Sequence, residues 1–188
     1  MKIHFIGIGG IGVSALARYY LAKGHKVSGS DLAFSEVTKD LEKKEARVYK
    51  GHEIDNLADK TDLVVCSAAV PEENPEIKRA QELNIETISY PQALGRLTRK
   101  YETIAISGAH GKGTTTAFTS LAMIEAGLDP TVIIGTNLPQ FGNTNCRVGE
   151  SKYLVVEADE YKKAFLHYRP QAIITTNIDE EHLDCYKD

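Results

Sequence analysis

Short apolar runs alternate with helix-patterned stretches along this chain, and that alternation admits few architectures beyond a mostly parallel sheet covered by helices, an α/β fold. Strands are expected at Ile3–Ile8, Lys26–Ser30, Arg47–Tyr49, Leu63–Cys66 and Glu86–Ser89, and helices at Gly12–Lys23, Ser35–Lys44 and Pro75–Leu83. Asn74-Pro75 is a strong start for the third helix, with Asn as cap and Pro at the first helical position. A short helix at Pro91–Thr98, with Ala93, Leu94 and Leu97 on one face, closes this unit. The polar stretch Arg96–Glu102 then sets a boundary near Arg99, which gives expected domains of 1–98 and 99–188. The second begins with a strand at Thr103–Ser107 and a helix at Thr114–Ala126, and continues with strands at Thr131–Ile134, Tyr153–Glu157 and Ala172–Thr176. A nucleotide-binding sheet ordinarily continues past such a point, so a truncated chain is expected.

Each unit has glycines at its first strand-to-helix switch. Gly7-Ile-Gly9-Gly10-Ile-Gly12 has GxGxxG spacing, and Asp31 follows at the end of the second strand. Glycines there permit a tight turn and close approach of a diphosphate to backbone N–H groups, while the acid can accept a ribose hydroxyl. NAD and UDP-sugars share a diphosphate and a ribose, so the turn leaves an NAD(P)-dependent oxidoreductase open. A purely structural turn is the other alternative.

The second turn is Ser107-Gly-Ala-His-Gly-Lys-Gly-Thr-Thr-Thr-Ala117. Free N–H groups at a helix N-terminus converge on an anion, and Lys112 can reach the β- and γ-phosphates, which points to ATP. The ATP-binding set is Gly108, Ala109, His110, Gly111, Lys112, Gly113, Thr114 and Thr115. Two positions depart from the full P-loop pattern: Ile106 stands where a glycine is usual, and Gly113 where Ser or Thr follows the lysine.

Phosphoryl transfer uses Mg²⁺, an ion that prefers oxygen ligands, so a carboxylate ending a strand beside the P-loop is the expected partner. Tyr153-Leu-Val-Val-Glu157 is a buried-strand pattern ending in acid, followed by Ala-Asp-Glu160. After the last strand, Asn177-Ile-Asp-Glu-Glu-His182-Leu-Asp184 is either a second metal cluster or a solvated acidic loop.

Composition narrows the function classes. Among 188 residues the net charge is −4, with no basic run or basic–aromatic stripe, so no nucleic-acid partner is expected. No apolar stretch approaches the ~20 residues of a membrane span, and the N-terminus lacks the layout of a signal peptide. Cys66, Cys146 and Cys185 are widely spaced and odd in number, which suits free thiols in a reducing cytoplasm.

Taken together, these segments resemble the Mur ligase family. The likeness is carried by His4–Gly12, Ser28–Asp31, Ser67-Ala-Ala69, Asn74–Ile77, Gly108–Lys112, Ala126–Pro130, Glu157–Glu160, Phe165–His167, Thr176–Ile178 and His182, in the family's order. It implies an α/β fold with a Rossmann-like parallel-sheet N-terminal domain followed by a partial P-loop-type α/β ATPase domain, in which Gly9, Gly10, Ile11 and Gly12, with Asp31, Ser67 and Ala68, hold the UDP part of UDP-N-acetylmuramate. It also implies that Lys112, Glu157, Asn177 and His182 are catalytic, with Glu157 and His182 ligating Mg²⁺. The implied reaction activates the sugar's lactyl carboxylate as an acyl phosphate with ATP, and L-alanine then displaces phosphate to form an amide. His167-Tyr-Arg-Pro170 brings the chain close to a related member that attaches a recycled tripeptide instead. A non-enzymatic nucleotide-binding regulator is a third alternative, and a further C-terminal domain is implied as a requirement for turnover. The family's Thr hydroxyl after the P-loop lysine, a Mg²⁺ ligand, is absent at Gly113: either Thr114 takes its place or metal-dependent turnover is weakened. Glu181 replaces the usual Asp, and Tyr161-Lys-Lys-Ala164 replaces a more acidic, hydroxyl-bearing segment.

Overall fold

The structure, a computed structural model, describes residues 1–182 together with Cys185 and Tyr186. The chain divides into two compact units, Met1–Ala93 and Leu94–Asp188, and the sequence-based boundary at 98/99 lies at the end of the helix in which this division falls.

The first unit runs β1 (Lys2–Ile6), α1 (Ile11–Ala22), β2 (Lys26–Asp31), α2 (Glu36–Lys43), β3 (Arg47–Lys50), β4 (Leu63–Cys66), α3 (Pro75–Glu82) and β5 (Thr87–Ser89). α4 (Tyr90–Thr98) follows. The sheet is parallel throughout, in the order β3-β2-β1-β4-β5. The chain starts at the centre and winds outward in both directions, so β1 and β4 flank a switch point, the place where such sheets take ligands. β1 stops two residues before the expected Ile8 because the Gly7 and Ile8 N–H groups both turn to the Ser30 carbonyl, at 2.9 and 3.0 Å. α3 starts as its sequence dictates: the Asn74 side chain accepts the Glu76 N–H at 2.9 Å, with Pro75 in the first turn. Ile6, Val64 and Cys66 pack against Ile77 and Ala80 of α3, closing one face.

The second unit runs β6 (Glu102–Ser107), α5 (Lys112–Glu125), β7 (Thr131–Leu138), β8 (Thr144–Arg147), β9 (Tyr153–Glu157) and β10 (Ala172–Thr175). Its sheet order is β10-β6-β9-β7-β8, parallel except for β8, which runs antiparallel to β7. Ile106, Met123, Val132, Ile134 and Val155 form its core beneath α5. α5 begins at Lys112, two residues before the expected Thr114, because Gly111 adopts a left-handed φ of 82° and lets the chain enter the helix at once. β8 was not anticipated; Asn145 and Cys146 are its buried residues. At the other margin β10 is exposed along its length, Ile173 65% so. Among the described residues no helix is long and apolar enough to cross a membrane.

Candidate functional site

In the first unit the residues singled out for a sugar nucleotide converge at the carboxyl ends of β1, β2 and β4. Asp31 Oδ2 accepts the Gly9 N–H at 2.8 Å, so this acid braces the glycine turn directly. Gly10 N–H closes the turn onto the Gly7 carbonyl at 3.1 Å. Gly12 is required sterically: a Cβ there would lie 2.6 Å from the Tyr90 ring. From β4, the Ser67 N–H bonds to the Ile6 carbonyl at 2.9 Å, and a Cβ on Gly7 would lie 2.9 Å from Ser67 Cβ, so the two loops are in contact. Ile11 and Ala68 face solvent at the rim.

In the second unit the turn between β6 and α5 is held by the segment after β10. Asn177 Oδ1 accepts the His110 N–H and Asn177 Nδ2 donates to the His110 carbonyl, both at 2.9 Å, a paired amide contact like one rung of a sheet. Thr176 Oγ1 also donates to that carbonyl, at 2.6 Å. Asn177, expected among the catalytic set, therefore grips the loop backbone. The close approach explains Gly108, whose φ is 129° and where any Cβ would collide with Thr176.

Lys112 folds back over the turn. Its ammonium has three N–H donors, and they meet the Gly108 carbonyl at 2.7 Å, the Ala109 carbonyl at 3.0 Å and Glu160 Oε1 at 2.8 Å. Burial pushes the Glu160 carboxyl up, but the Lys112 hydrogen bond and charge, with His182 nearby, outweigh it and hold the group below the usual carboxylate range. His182 Nε2 lies 3.4 Å from the same oxygen. Asp159, Glu160 and His182 bring ligand atoms within 4.8 Å of one another. Glu160 Oε2 is buried with no hydrogen-bond partner among the described residues. An orphaned carboxylate oxygen beside a second acid and an imidazole suits a divalent cation.

Glu157 ends β9 as expected and accepts the Gly135 N–H at 2.7 Å through Oε2. It stands outside the cluster that His182 joins. The position facing it is 113, where a Cβ would lie 3.6 Å from Glu157 Oε2 and 3.8 Å from Thr136 Cγ2. Thr114 is exposed and lines, with Gly113, Phe118 and Thr136, a separate hollow of about 310 Å³. Gly111 is exposed and Thr115 half-buried, its N–H bonding back to the Gly111 carbonyl at 2.9 Å. A larger cavity of about 630 Å³ opens over β6 and β10, lined by Gly108, Ala109, Glu160, Phe165, Asn177 and Tyr186 among others. Asp184, the last acid of the expected cluster, lies outside the described residues. Sequence reasoning missed the pairing of Glu160 with Lys112, 48 residues away, for which no local pattern exists.

Two α/β units, each with a glycine turn between the first strand of its sheet and the helix that follows, define the class: a tandem nucleotide-fold protein. The family described as "Mur ligase family, catalytic domain" matches residues 2–102, and the chain belongs to it. It is 49% identical over its whole length to the UDP-N-acetylmuramate–L-alanine ligase of Clostridium novyi, covering 41% of that protein. It is 48% identical over 99% of its length to the enzyme of that name from Aquifex aeolicus, covering 40% of it. The chain thus spans about two fifths of these curated relatives. Among solved structures, the UDP-N-acetylmuramate–alanine ligase MurC of Thermotoga maritima superposes with a TM-score of 0.91 at 34% identity, over 99% of this chain and 43% of that one. The UDP-N-acetylmuramate:L-alanyl-gamma-D-glutamyl-meso-diaminopimelate ligase of Neisseria meningitides gives 0.90 at 29%, over 100% and 63%.

Proposed function

We propose that this chain is the sugar-nucleotide- and ATP-binding portion of a cytoplasmic ligase that joins L-alanine to UDP-N-acetylmuramate in peptidoglycan precursor synthesis. The observation that carries the reading is the pair of glycine turns at two separate strand-to-helix junctions, one braced by Asp31 and the other carrying Lys112. Gly9 to Gly12 would cradle the UDP diphosphate, with Asp31, Ser67 and Ala68 beside the nucleotide. Gly108 to Thr115 would wrap ATP's phosphates, with Lys112 exchanging Glu160 for phosphate oxygens. Asp159, Glu160 and His182 would hold one Mg²⁺ and Glu157 another, with Thr114 a further candidate, and the ions would neutralise phosphate charge when bound. A carboxylate acylates an amine poorly until its oxygen becomes a good leaving group, so attack of the lactyl carboxylate on the γ-phosphorus, with ADP leaving, precedes displacement of phosphate by the alanine amine, which gives up a proton as the amide forms.

L-Alanine is favoured over a tripeptide acceptor because the curated relatives named for alanine are 46–49% identical to this chain, and among solved structures the alanine-named ligase is 34% identical against 29% for the tripeptide-named one. Calorimetric titration of the chain with UDP, ATP with Mg²⁺, and NADH tests the binding reading. UDP and ATP are expected to bind independently and NADH not to compete. NADH binding tighter than UDP would sink the ligase assignment in favour of an oxidoreductase. The chain alone is expected to form no amide, because the family relatives carry a further stretch beyond the part it matches. Joined to that stretch of a relative, it should release phosphate with L-alanine and not with tripeptide. No release with either acceptor would favour a nucleotide-binding regulator.

A further inference from the structure

The first unit contains a fully buried carboxylate. Glu76, in the first turn of α3, has no solvent exposure. Its Oε2 accepts the His4 Nε2–H at 3.2 Å and the Ser30 hydroxyl at 2.6 Å. Its Oε1 accepts Asn56 Nδ2 at 2.7 Å and the Glu53 N–H at 3.2 Å. Ser30 has a single hydroxyl proton and gives it to Glu76, so His52 Nδ1, 2.8 Å away, must donate to that oxygen. Burial works to raise the Glu76 pKa, but the hydrogen bonds from His4, Ser30 and Asn56 outweigh it and hold the carboxyl below the usual range. An interior carboxylate is costly and persists only where its lone pairs are saturated, as they are here.

What this hub holds is the end of β2. The Ser30 carbonyl accepts both the Gly7 and the Ile8 N–H, the first two of the glycine turn. The next residue, Asp31, holds the Gly9 N–H through its side chain, and its carbonyl accepts the Gly51 N–H at 2.7 Å, one residue before His52. One serine therefore connects the buried carboxylate, through its hydroxyl, to the turn, through its carbonyl.

We propose that Glu76 is a positioning residue for sugar-nucleotide binding: acting through Ser30, it fixes the end of β2 and so the direction in which the Gly7–Gly9 amides point. This rests on the reading of that turn as the UDP site. Glu76→Gln preserves volume but turns an NH₂ group toward donors, and Ser30→Ala cuts the link while leaving the other donors on the carboxylate. Each variant and their combination are titrated with UDP at a temperature where circular dichroism shows them folded, and their ¹H–¹⁵N spectra are recorded. Each single change should weaken UDP by about tenfold and the double by no more than either alone, because both cut one connection. The Gly7, Ile8 and Gly9 amides should shift and exchange faster, while α5 amides and ATP affinity stay as they were. UDP affinity within about twofold of the unaltered chain, additive losses, or unmoved turn amides would overturn the proposal and reduce Glu76 to a core-stabilising group. If Glu76→Gln does not fold, Ser30→Ala alone decides by the same two readouts. Failure of the unaltered chain to bind UDP removes the site reading itself, and this proposal with it.

Discussion

Glu160 and Lys112 form an ion pair at 2.8 Å across the mouth of the second glycine turn, both side chains largely buried. On the proposed function, a nucleotide's phosphates would compete with the Glu160 carboxylate for one ammonium. Glu160→Gln should tighten binding of ATP in the presence of a chelator by about threefold to tenfold, since partly buried pairs of this kind contribute on the order of 1 kcal/mol. The same change should weaken the benefit of added Mg²⁺. Calorimetry with and without metal reads both effects, and equal affinity under chelation would show that the pair does not gate the turn. The pH dependence has a definite sign. The Glu160 carboxyl is held below its ordinary range, so the contact is intact above that range and is lost only as acidification passes through the lowered value. Chelated ATP affinity should accordingly be insensitive to this pair from about pH 6 to 8.

Gly113 leaves ordinary contact space opposite Glu157, where a Cβ displaces neither neighbour, and Gly113→Thr tests whether a hydroxyl is accepted there. A hydroxyl there would stand beside the carboxylate that ends β9. The expected result is tighter binding of Mn²⁺·ADP by about threefold to tenfold, judged by the usual effect of added metal-site partners, with metal-free ADP unchanged. Manganese paramagnetic resonance checks it, and weaker metal binding would point to crowding against Thr136.

Asn177→Ala removes both hydrogen bonds to His110 from a solvent-facing pairing. ATP affinity should fall by about fivefold, or about 1 kcal/mol, the exposed setting discounting what two such bonds give when buried. Asn177→Asp keeps the acceptor and loses the donor, so it should lie between. An unchanged affinity in both would place the residue outside the nucleotide-binding machinery.

Cys66 ends β4 with 9% exposure, and burial, helped by the Glu76 charge, pushes its thiol pKa up to about 12. Iodoacetamide should leave Cys66 unmodified in the folded chain at neutral pH while labelling Cys185, which is partly exposed. Peptide mapping after brief treatment distinguishes the two, and early labelling of Cys66 would mean that the α3 side of the sheet opens readily.

Most of the fold was legible because it is written in local pattern. The runs at Leu63–Cys66 and Tyr153–Glu157 are apolar on both faces, as buried parallel strands must be, and Asn74-Pro75 announces α3 before any tertiary contact forms. β8 escaped because Thr-Asn-Cys-Arg has no apolar alternation; its pairing to β7 makes it a strand. The glycine turns were legible from spacing, yet what fills them was not. Glu76 reads along the sequence as a routine first-turn acid, and nothing there reveals that it meets His4 from 72 residues away. Asn177 is expected in the site from the sequence, but its grip on His110 depends on β10 lying beside β6, a relation that only the assembled sheet supplies.

Among the described residues no further strand covers β10, and that margin bears on how this polypeptide behaves in a test tube. Outward-pointing amide and carbonyl groups beside Ile173 offer a ready template for any other extended segment to add to, with no gatekeeping proline or lysine within the strand itself. Concentrated samples should therefore lose solubility by edge-to-edge accretion of folded molecules, and a single lysine in place of Ile173 is the simplest cure.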